Sequence, residues 1–197
     1  VVLFDPSPTG LETMSLPENK ISQFHFVPVG LSGSNCTLRF APPPDPKEGS
    51  WFTDGGTAAT IEVPCVDLST LMKQNGHDRI DLLKIDIEGG EYEMFSDEGF
   101  QKSLDQVVQI AIEFHDLQDR LGDLERLINR LSERFSIVHF HANNFGGVFE
   151  IQGKQMPHTI ELTFVSNSFL KKKVPDLTPM PVDGLDYPNN LKLPDIN

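Results

Sequence analysis

Residues 80–95, IDLLKIDIEGGEYEMF, place two acids and a glycine pair at the end of an apolar run. A continuous apolar run is typical of a parallel strand that is covered on both faces. Asp86 and Glu88 stand where buried side chains are expected, and a carboxylate is tolerated there only if it is hydrated, paired or facing a ligand. Because side chains alternate along a strand, these two acids face one side and Ile87 points into the opposite layer. We therefore interpret the end of this strand as one wall of a ligand pocket.

A second predicted strand, over residues 107–114, ends in the same way, on Glu113 followed by His115 and Asp116. Residues 117–135 then carry leucine and isoleucine at steps of three and four, which predicts a long amphipathic helix. Strands that alternate with helices predict a parallel α/β sheet, and such sheets bind ligands at the carboxyl ends of their strands. One edge of the sheet is therefore predicted to carry Asp5, Asp86, Glu88, Glu113 and His115.

The remaining segments complete a predicted α/β domain over residues 1–165, which closes with an antiparallel hairpin. A short helix is expected from Asp67 to a stop signal at Gly76, and residues 143–147, NNFGG, are typical of a tight turn. Residues 166–197 contain five prolines and few apolar side chains, which predicts an extended C-terminal arm. Further strands are predicted over residues 1–4, 24–29, 36–40, 58–66, 137–141, 148–151 and 159–165, with a loop over 41–56.

The charge balance argues against nucleic acid as a partner. The chain of 197 residues carries 29 acids against 16 basic residues, and its net charge of -13 repels phosphates. No apolar run approaches the roughly 18 residues of a membrane span, so no membrane segment is predicted in this chain. Cys36 and Cys65 are compatible with a disulfide, although two buried thiols are favoured. The sequon at Asn35 leaves the compartment open between cytoplasm and secretory lumen.

Several segments together resemble the FkbM-type S-adenosylmethionine-dependent methyltransferases. They are, in order, VVLFDPSP, FHFVPVGLSG, IEVPCVDLSTLM, IDLLKIDIEGGEYEMF, IAIEFHD and IELTFV. Two more, HFHANNFGGVFEI and GLDYPNN, resemble the eukaryotic methyltransferase-like proteins of that group. The resemblance covers residues 1–165, and its most specific segment is KIDIEGGE. It implies a Rossmann-like methyltransferase sheet, S-adenosylmethionine as cofactor, and methyl transfer to a hydroxyl of a small molecule or glycan.

The resemblance also implies roles for the residues at the strand ends. Asp5 would accept hydrogen bonds from the ribose hydroxyls of the cofactor, although an aspartate before two prolines is also typical of a turn. Asp86 and Glu88 would lie near the sulfonium, whose positive charge favours carboxylates. Gly89 would let the backbone approach the cofactor. Glu91 is interpreted as an acid that favours the N-terminus of a helix.

Several residues are candidates for removing the proton of an acceptor hydroxyl. His115 or His141 could act as general base, since imidazole titrates near neutral pH. We expect only one of His139 and His141 to face the core side, and we interpret His139 as structural. Glu113 with Asp86 could alternatively hold a divalent metal, but the small number of oxygen ligands argues against a metal site.

The resemblance has one large gap. Methyltransferases of this class carry a first strand and a glycine-rich turn ahead of the FDP strand, whereas the glycine pairs here follow residues 54, 88 and 145. Without that strand, buried sheet edges stay unpaired at roughly 1 to 3 kcal/mol per group. We therefore expect the first strand to be missing and the sequence to be the C-terminal part of a longer chain.

Two other functions stay as alternatives. The first is a catalytically inactive scaffold or binding domain of the same fold. The second is a nicotinamide-dependent enzyme, which is disfavoured because the chain has no G-x-G-x-x-G segment.

Overall fold

The computed structural model describes residues 1–43, 51–53, 60–170, 182, 184 and 186–196, which form a mixed α/β fold. Two compact units make up the chain: residues 1–77 with 93–104, and residues 78–92 with 105–197. In chain order the strands and helices are β1 (Val2–Phe4), α1 (Pro8–Ser15), β2 (His25–Val27), β3 (Gly30–Leu31), β4 (Cys36–Ala41), β5 (Phe52–Thr53), β6 (Ile61–Val66), α2 (Leu68–Gln74), β7 (Leu83–Ile85), α3 (Glu91–Ser96), α4 (Glu98–Ser103), β8 (Gln109–Phe114), α5 (Leu117–Leu131), β9 (Phe135–Ile151) and β10 (Lys154–Ser166).

The first unit contains two sheets. β1 pairs in parallel with β2, and the second sheet has the order β3-β6-β4-β5. α1, which the sequence analysis does not predict, begins directly after β1 because the Ser7 hydroxyl accepts the N–H of Gly10 and Pro8 occupies the first turn. α2 begins as predicted, capped by the Asp67 carboxylate. The predicted loop over 41–56 lies partly outside the described residues, and its residues 52 and 53 form β5.

The two cysteines lie opposite each other in the first unit. Cys36 of β4 is the register partner of Cys65 of β6, and both are free thiols. Cys65 is buried, whereas Cys36 is exposed, so the expectation of two buried thiols is wrong for Cys36. Burial, together with the nearby Cys36, raises the pKa of Cys65 to about 11. The Asn35 side chain accepts the N–H of Asp67, which gives this sequon residue a structural role.

The second unit contains a four-stranded sheet in the order β7-β8-β10-β9. β7 and β8 are parallel, as predicted, but β10 is antiparallel to both β8 and β9. The β9–β10 pairing is the antiparallel hairpin that the sequence predicts, so only the β8–β10 pairing departs from the expected parallel sheet. The two-residue turn Gln152-Gly153, whose φ angles of 52° and 76° suit a tight hairpin, reverses the chain between β9 and β10.

One long strand replaces the tight turn that was predicted over residues 143–147. Asn143 pairs with Thr159 and Val148 pairs with Pro157, so both ends of this segment stay in register with β10. The extra residues between them form an irregularity in β9 rather than a reversal. The turn signal was outweighed by pairing with β10, a partner that local sequence does not reveal.

The two faces of this sheet differ in chemistry. α5 packs against β9 and β10, and its buried residues Leu117, Leu124, Leu127 and Leu131 cover an apolar face. The core residues of the sheet on that face are Ile110, Ile112, Phe114, Leu162 and Phe164.

The opposite face carries a polar row, in which Glu113 of β8 lies opposite Glu161 of β10, and Glu161 lies opposite His141 of β9. His139 and His141 are two residues apart in one strand and share this face, so the expectation that only one faces the core side is wrong.

Part of the C-terminal arm is bound to the polar face. The Asp186 carboxylate lies 2.9 Å from His139 Nε2, and the Asn189 amide donates to Glu161. Asn144, which is 2 % exposed, donates from Nδ2 to the carbonyls of Asn190, Leu193 and Pro194. The division into a domain over 1–165 and an arm over 166–197 stays a prediction. Within the part of the chain that the structure describes, no helix is long and apolar enough to cross a membrane.

Candidate active site

Four residues predicted at the ends of β7 and β8 lie together, and we call Asp86, Glu88, Glu113 and His115 the strand-end cluster. Parallel neighbouring strands end at the same edge of a sheet, which explains the proximity. His115 Nε2 lies 3.4 Å from Glu88 Oε2, 3.6 Å from Glu113 Oε1 and 3.8 Å from Asp86 Oδ1. Lys84 Nζ lies 3.6 Å from Asp86 and 3.8 Å from Glu113. Three carboxylates therefore surround one imidazole nitrogen.

A sharp turn after β7 brings Glu88 into the cluster. Glu88 and Gly89 both have left-handed backbone conformations, with φ of 53° and 96°. A Cβ atom at Gly89 would lie 3.2 Å from Asp116 Oδ2, so the position favours glycine for conformation and for space. β7 ends at Ile85, earlier than predicted, and this turn rather than strand alternation sets the direction of Glu88. Ile87 is half-buried instead of lying in the core.

Glu91 is a site residue that the sequence analysis missed. It is 0 % exposed, and its Oε1 accepts the N–H groups of Ile87 and Gly89 at 3.3 and 3.2 Å. The same oxygen lies 3.0 Å from His115 Nδ1. Glu91 is the first residue of α3, as the interpretation of a helix N-terminal acid expects, and these contacts are additional to that role. The signal was its place at the end of the motif EGGE, because the turn brings its side chain to the backbone N–H groups of Ile87 and Gly89.

Burial and mutual repulsion alter the acidity of the cluster. Burial raises the pKa of Glu88 and of Glu113, and the neighbouring Asp86 charge raises both further. Burial alone would lower the pKa of His115, but the hydrogen bond to Glu91 and the surrounding carboxylates raise it to about 9. His115 is therefore protonated at neutral pH.

Asn143 and His141 extend the site along the polar row. The Asn143 amide donates to Glu113 Oε1 at 2.9 Å, a contact between residues 30 positions apart that no local pattern indicates. His141 is two strands from Glu113 and does not join the cluster. Its Nδ1 lies 3.6 Å from Glu161 Oε2, and its buried Nε2 has no hydrogen-bond partner among the described residues.

Asp5 lies in the first unit, after β1. Its Oδ1 accepts the N–H of Ser7 at 2.8 Å, as the turn interpretation requires. A Cβ atom at Gly10 would lie 2.1 Å from Asp5 Oδ2, so glycine at this position makes room for the carboxylate. Binding of ribose by Asp5, and its convergence with the strand-end cluster, stay predictions.

The cluster suits a cationic ligand. Asp86, Glu88, Glu113 and Glu91 place four carboxylates around His115, and Lys84 lies beside Asp86 and Glu113. Three of the members, Asp86, Glu88 and His115, also offer ligand atoms within 4.8 Å of one another, a spacing compatible with a metal ion.

The strand-end cluster lies at the carboxyl ends of parallel strands, which is where α/β proteins generally bind their ligands. The family model described as the methyltransferase FkbM domain matches residues 1–142, which include the whole cluster. The chain belongs to the FkbM methyltransferase family, as its sequence motifs predict. No curated protein and no solved structure matches it significantly.

Proposed function

We propose that this chain forms the catalytic part of an S-adenosylmethionine-dependent methyltransferase that acts on a hydroxyl of a small molecule or glycan. The strand-end cluster is the observation that carries this proposal. A buried carboxylate is costly unless it is paired with positive charge. The excess of carboxylates at the cluster therefore fits a sulfonium better than an anionic or neutral ligand.

The sheet order supports a Rossmann-like arrangement. In the second unit a parallel pair, β7 and β8, is followed in the chain by the β9–β10 hairpin. In such sheets ligands bind at the carboxyl ends of parallel strands. The cluster lies at such an end.

Each proposed cofactor-binding residue has a separate task. S-adenosylmethionine supplies, when bound, a methyl group on a positively charged sulfur. Asp86 and Glu88 would stabilise that charge, and the Gly89 backbone would allow close approach. Asp5 would accept hydrogen bonds from the ribose hydroxyls.

The catalytic candidates differ in their suitability as general base. His115 is already protonated at neutral pH, so it would orient the carboxylates by donating from Nε2 rather than accept a proton. Glu113 has a pKa raised by burial, which brings a carboxylate closer to the pKa that favours proton transfer at neutral pH. We assign proton removal to Glu113, with Asp86 beside it, and place His141 at the acceptor side of the polar row.

Titration calorimetry with S-adenosylmethionine on the full-length protein tests the cofactor assignment. Asp5→Ala removes an acceptor of two hydrogen bonds and should weaken binding by on the order of 1.5 to 3 kcal/mol. Asp119→Ala, in the exposed first turn of α5, is the matched control and should leave the dissociation constant unchanged. Equal constants for Asp5→Ala and the parent would remove Asp5 from the cofactor site.

The same preparation distinguishes the alternatives. Transfer of a labelled methyl group to hydroxyl-bearing acceptors supports the enzyme, whereas cofactor binding without transfer to any acceptor supports the inactive scaffold. Loss of transfer on chelation, with recovery on adding manganese or magnesium, would support the metal-assisted alternative.

A further inference from the structure

Glu91 is fully buried, although an acid at the first residue of a helix can remain exposed to solvent. A carboxylate with no exposure costs several kcal/mol unless its charge is satisfied. Three polar hydrogens meet at its Oε1 oxygen: those of the Ile87 and Gly89 backbones and that of His115 Nδ1. The buried Glu91 carboxylate therefore connects the glycine turn to His115, and these contacts offset the free-energy cost of its burial.

The chemistry of the acceptor fixes the direction of the hydrogen bond to His115. The two backbone groups are obligatory donors, so the Glu91 oxygen acts as an acceptor. His115 Nδ1 must then carry a proton in both charge states of the ring. Nε2 is left as the nitrogen that faces Asp86, Glu88 and Glu113.

Tyr92 holds the same histidine from its backbone. Its hydroxyl donates to the His115 carbonyl at 2.7 Å. The following residue, Asp116, has φ of 55° and makes no side-chain hydrogen bond that caps α5. Glu91 and Tyr92 thus hold His115 at two points, one on its ring and one on its backbone.

We propose that Glu91 is a positioning residue of the reaction, which holds His115 with Nδ1 protonated and Nε2 directed at the strand-end cluster. The effect on turnover rests on the proposed function, whereas the hydrogen bond itself does not. A residue that only ties the glycine turn would affect stability alone. A positioning residue also changes the environment of the histidine nitrogen and lowers kcat without changing cofactor affinity.

The test is nuclear magnetic resonance of the full-length protein labelled with ¹⁵N-histidine. The parent should show a downfield Nδ1–H proton signal, assigned by its disappearance in His115→Gln. Glu91→Gln keeps the size of the side chain and loses its charge, so the signal should move upfield. Glu125→Gln, an exposed acid in the middle of α5, is the control and should leave it unchanged.

Kinetics on the same variants complete the experiment. Glu91→Gln should lower kcat about a hundredfold, the scale of a catalytic group displaced by about 1 Å, with the dissociation constant of S-adenosylmethionine unchanged. Tyr92→Phe provides an independent check if Glu91→Gln does not fold, because release of the His115 carbonyl should broaden the same signal.

An unprotonated Nδ1 in the parent, or an unmoved signal in Glu91→Gln, would overturn the inference even if the parent transfers methyl groups. A parent with the expected signal but without cofactor binding would instead refute the proposed function. The two failures are therefore distinguishable.

Discussion

At the scale of single residues, His115 is the side chain that contacts all of the carboxylates of the site. Its Nδ1 contacts the buried Glu91, and its Nε2 faces three further carboxylates. A protonated imidazole in this place neutralises part of the charge that Asp86, Glu88 and Glu113 accumulate. For this reason we propose that His115 orients the carboxylates, while its role as a general base stays a prediction.

The charge of His115 predicts how stability depends on pH. Its pKa in the folded protein, about 9, lies above the ordinary value of 6.5. The stabilisation is therefore fully present below about pH 6.5 and is lost as pH rises through 9. Denaturant titrations at several pH values should show the free energy of unfolding falling by on the order of 3 kcal/mol over this range.

His115→Gln is the control for that experiment, because glutamine does not titrate. Its unfolding free energy should change much less between the same two pH values. A parent protein whose stability is flat across this window, or a variant with an equal fall, would show that the folded histidine is not protonated as described.

At the scale of elements, the turn between β7 and α3 depends on one glycine. Gly89→Ala places a side chain at φ of 96° and 3.2 Å from Asp116, and should destabilise the protein by about 1 to 3 kcal/mol. Gly122→Ala, in the exposed middle of α5, should stabilise it by about 0.5 to 1 kcal/mol. Urea unfolding of both variants measures the difference. Equal effects of the two substitutions would argue against a special backbone at Gly89.

The C-terminal arm depends on Asn144. Asn144→Ala removes the donor to three arm carbonyls and the acceptor for the Asn190 N–H, and should cost about 1 to 3 kcal/mol. Limited proteolysis should then cut residues 186–196 faster than in the parent. Asn129→Ala, on the exposed side of α5, should leave the cleavage rate unchanged. An unchanged rate in Asn144→Ala would show that the arm is held elsewhere.

Local patterns predicted the elements whose signals are local. α2 follows from the Asp67 cap, and α5 follows from apolar residues at helical spacing, although Phe135 begins β9 instead of ending the helix. The NNFGG segment was assigned to a turn because its pairing with β10 is a tertiary property. α1 was missed because only Gly10 of its residues is buried, so no apolar face marks it.

In the site as well, the sequence predicted only those residues whose signal is local. Acids that interrupt apolar runs identified Asp86, Glu88 and Glu113, since a carboxylate at the end of a buried strand needs water, a partner or a ligand. Glu91 was missed because an acid at the first residue of a helix already has an ordinary local role. Asn143 was missed because its contact with Glu113 joins two strands distant in sequence.

At the scale of the whole molecule, two observations support the methyl transfer that we propose. They are membership of the FkbM methyltransferase family and the grouping of the strand-end cluster. The matched residues 1–142 contain every residue to which we assign a role in cofactor binding or catalysis. The acceptor would meet the polar row that continues from Glu113 through Glu161 to His141.

The most direct test of the account compares turnover and thermal unfolding in the full-length protein. Asp86→Asn keeps the shape of the side chain and loses its charge, so methyl transfer should be abolished with the melting temperature nearly unchanged. Ile85→Ala, one position before it and 1 % exposed, should cost roughly 2 to 5 kcal/mol of stability through a core cavity. Full activity in Asp86→Asn, or unfolding as severe as that of Ile85→Ala, would show that the strand-end acid is structural and that the active site lies elsewhere.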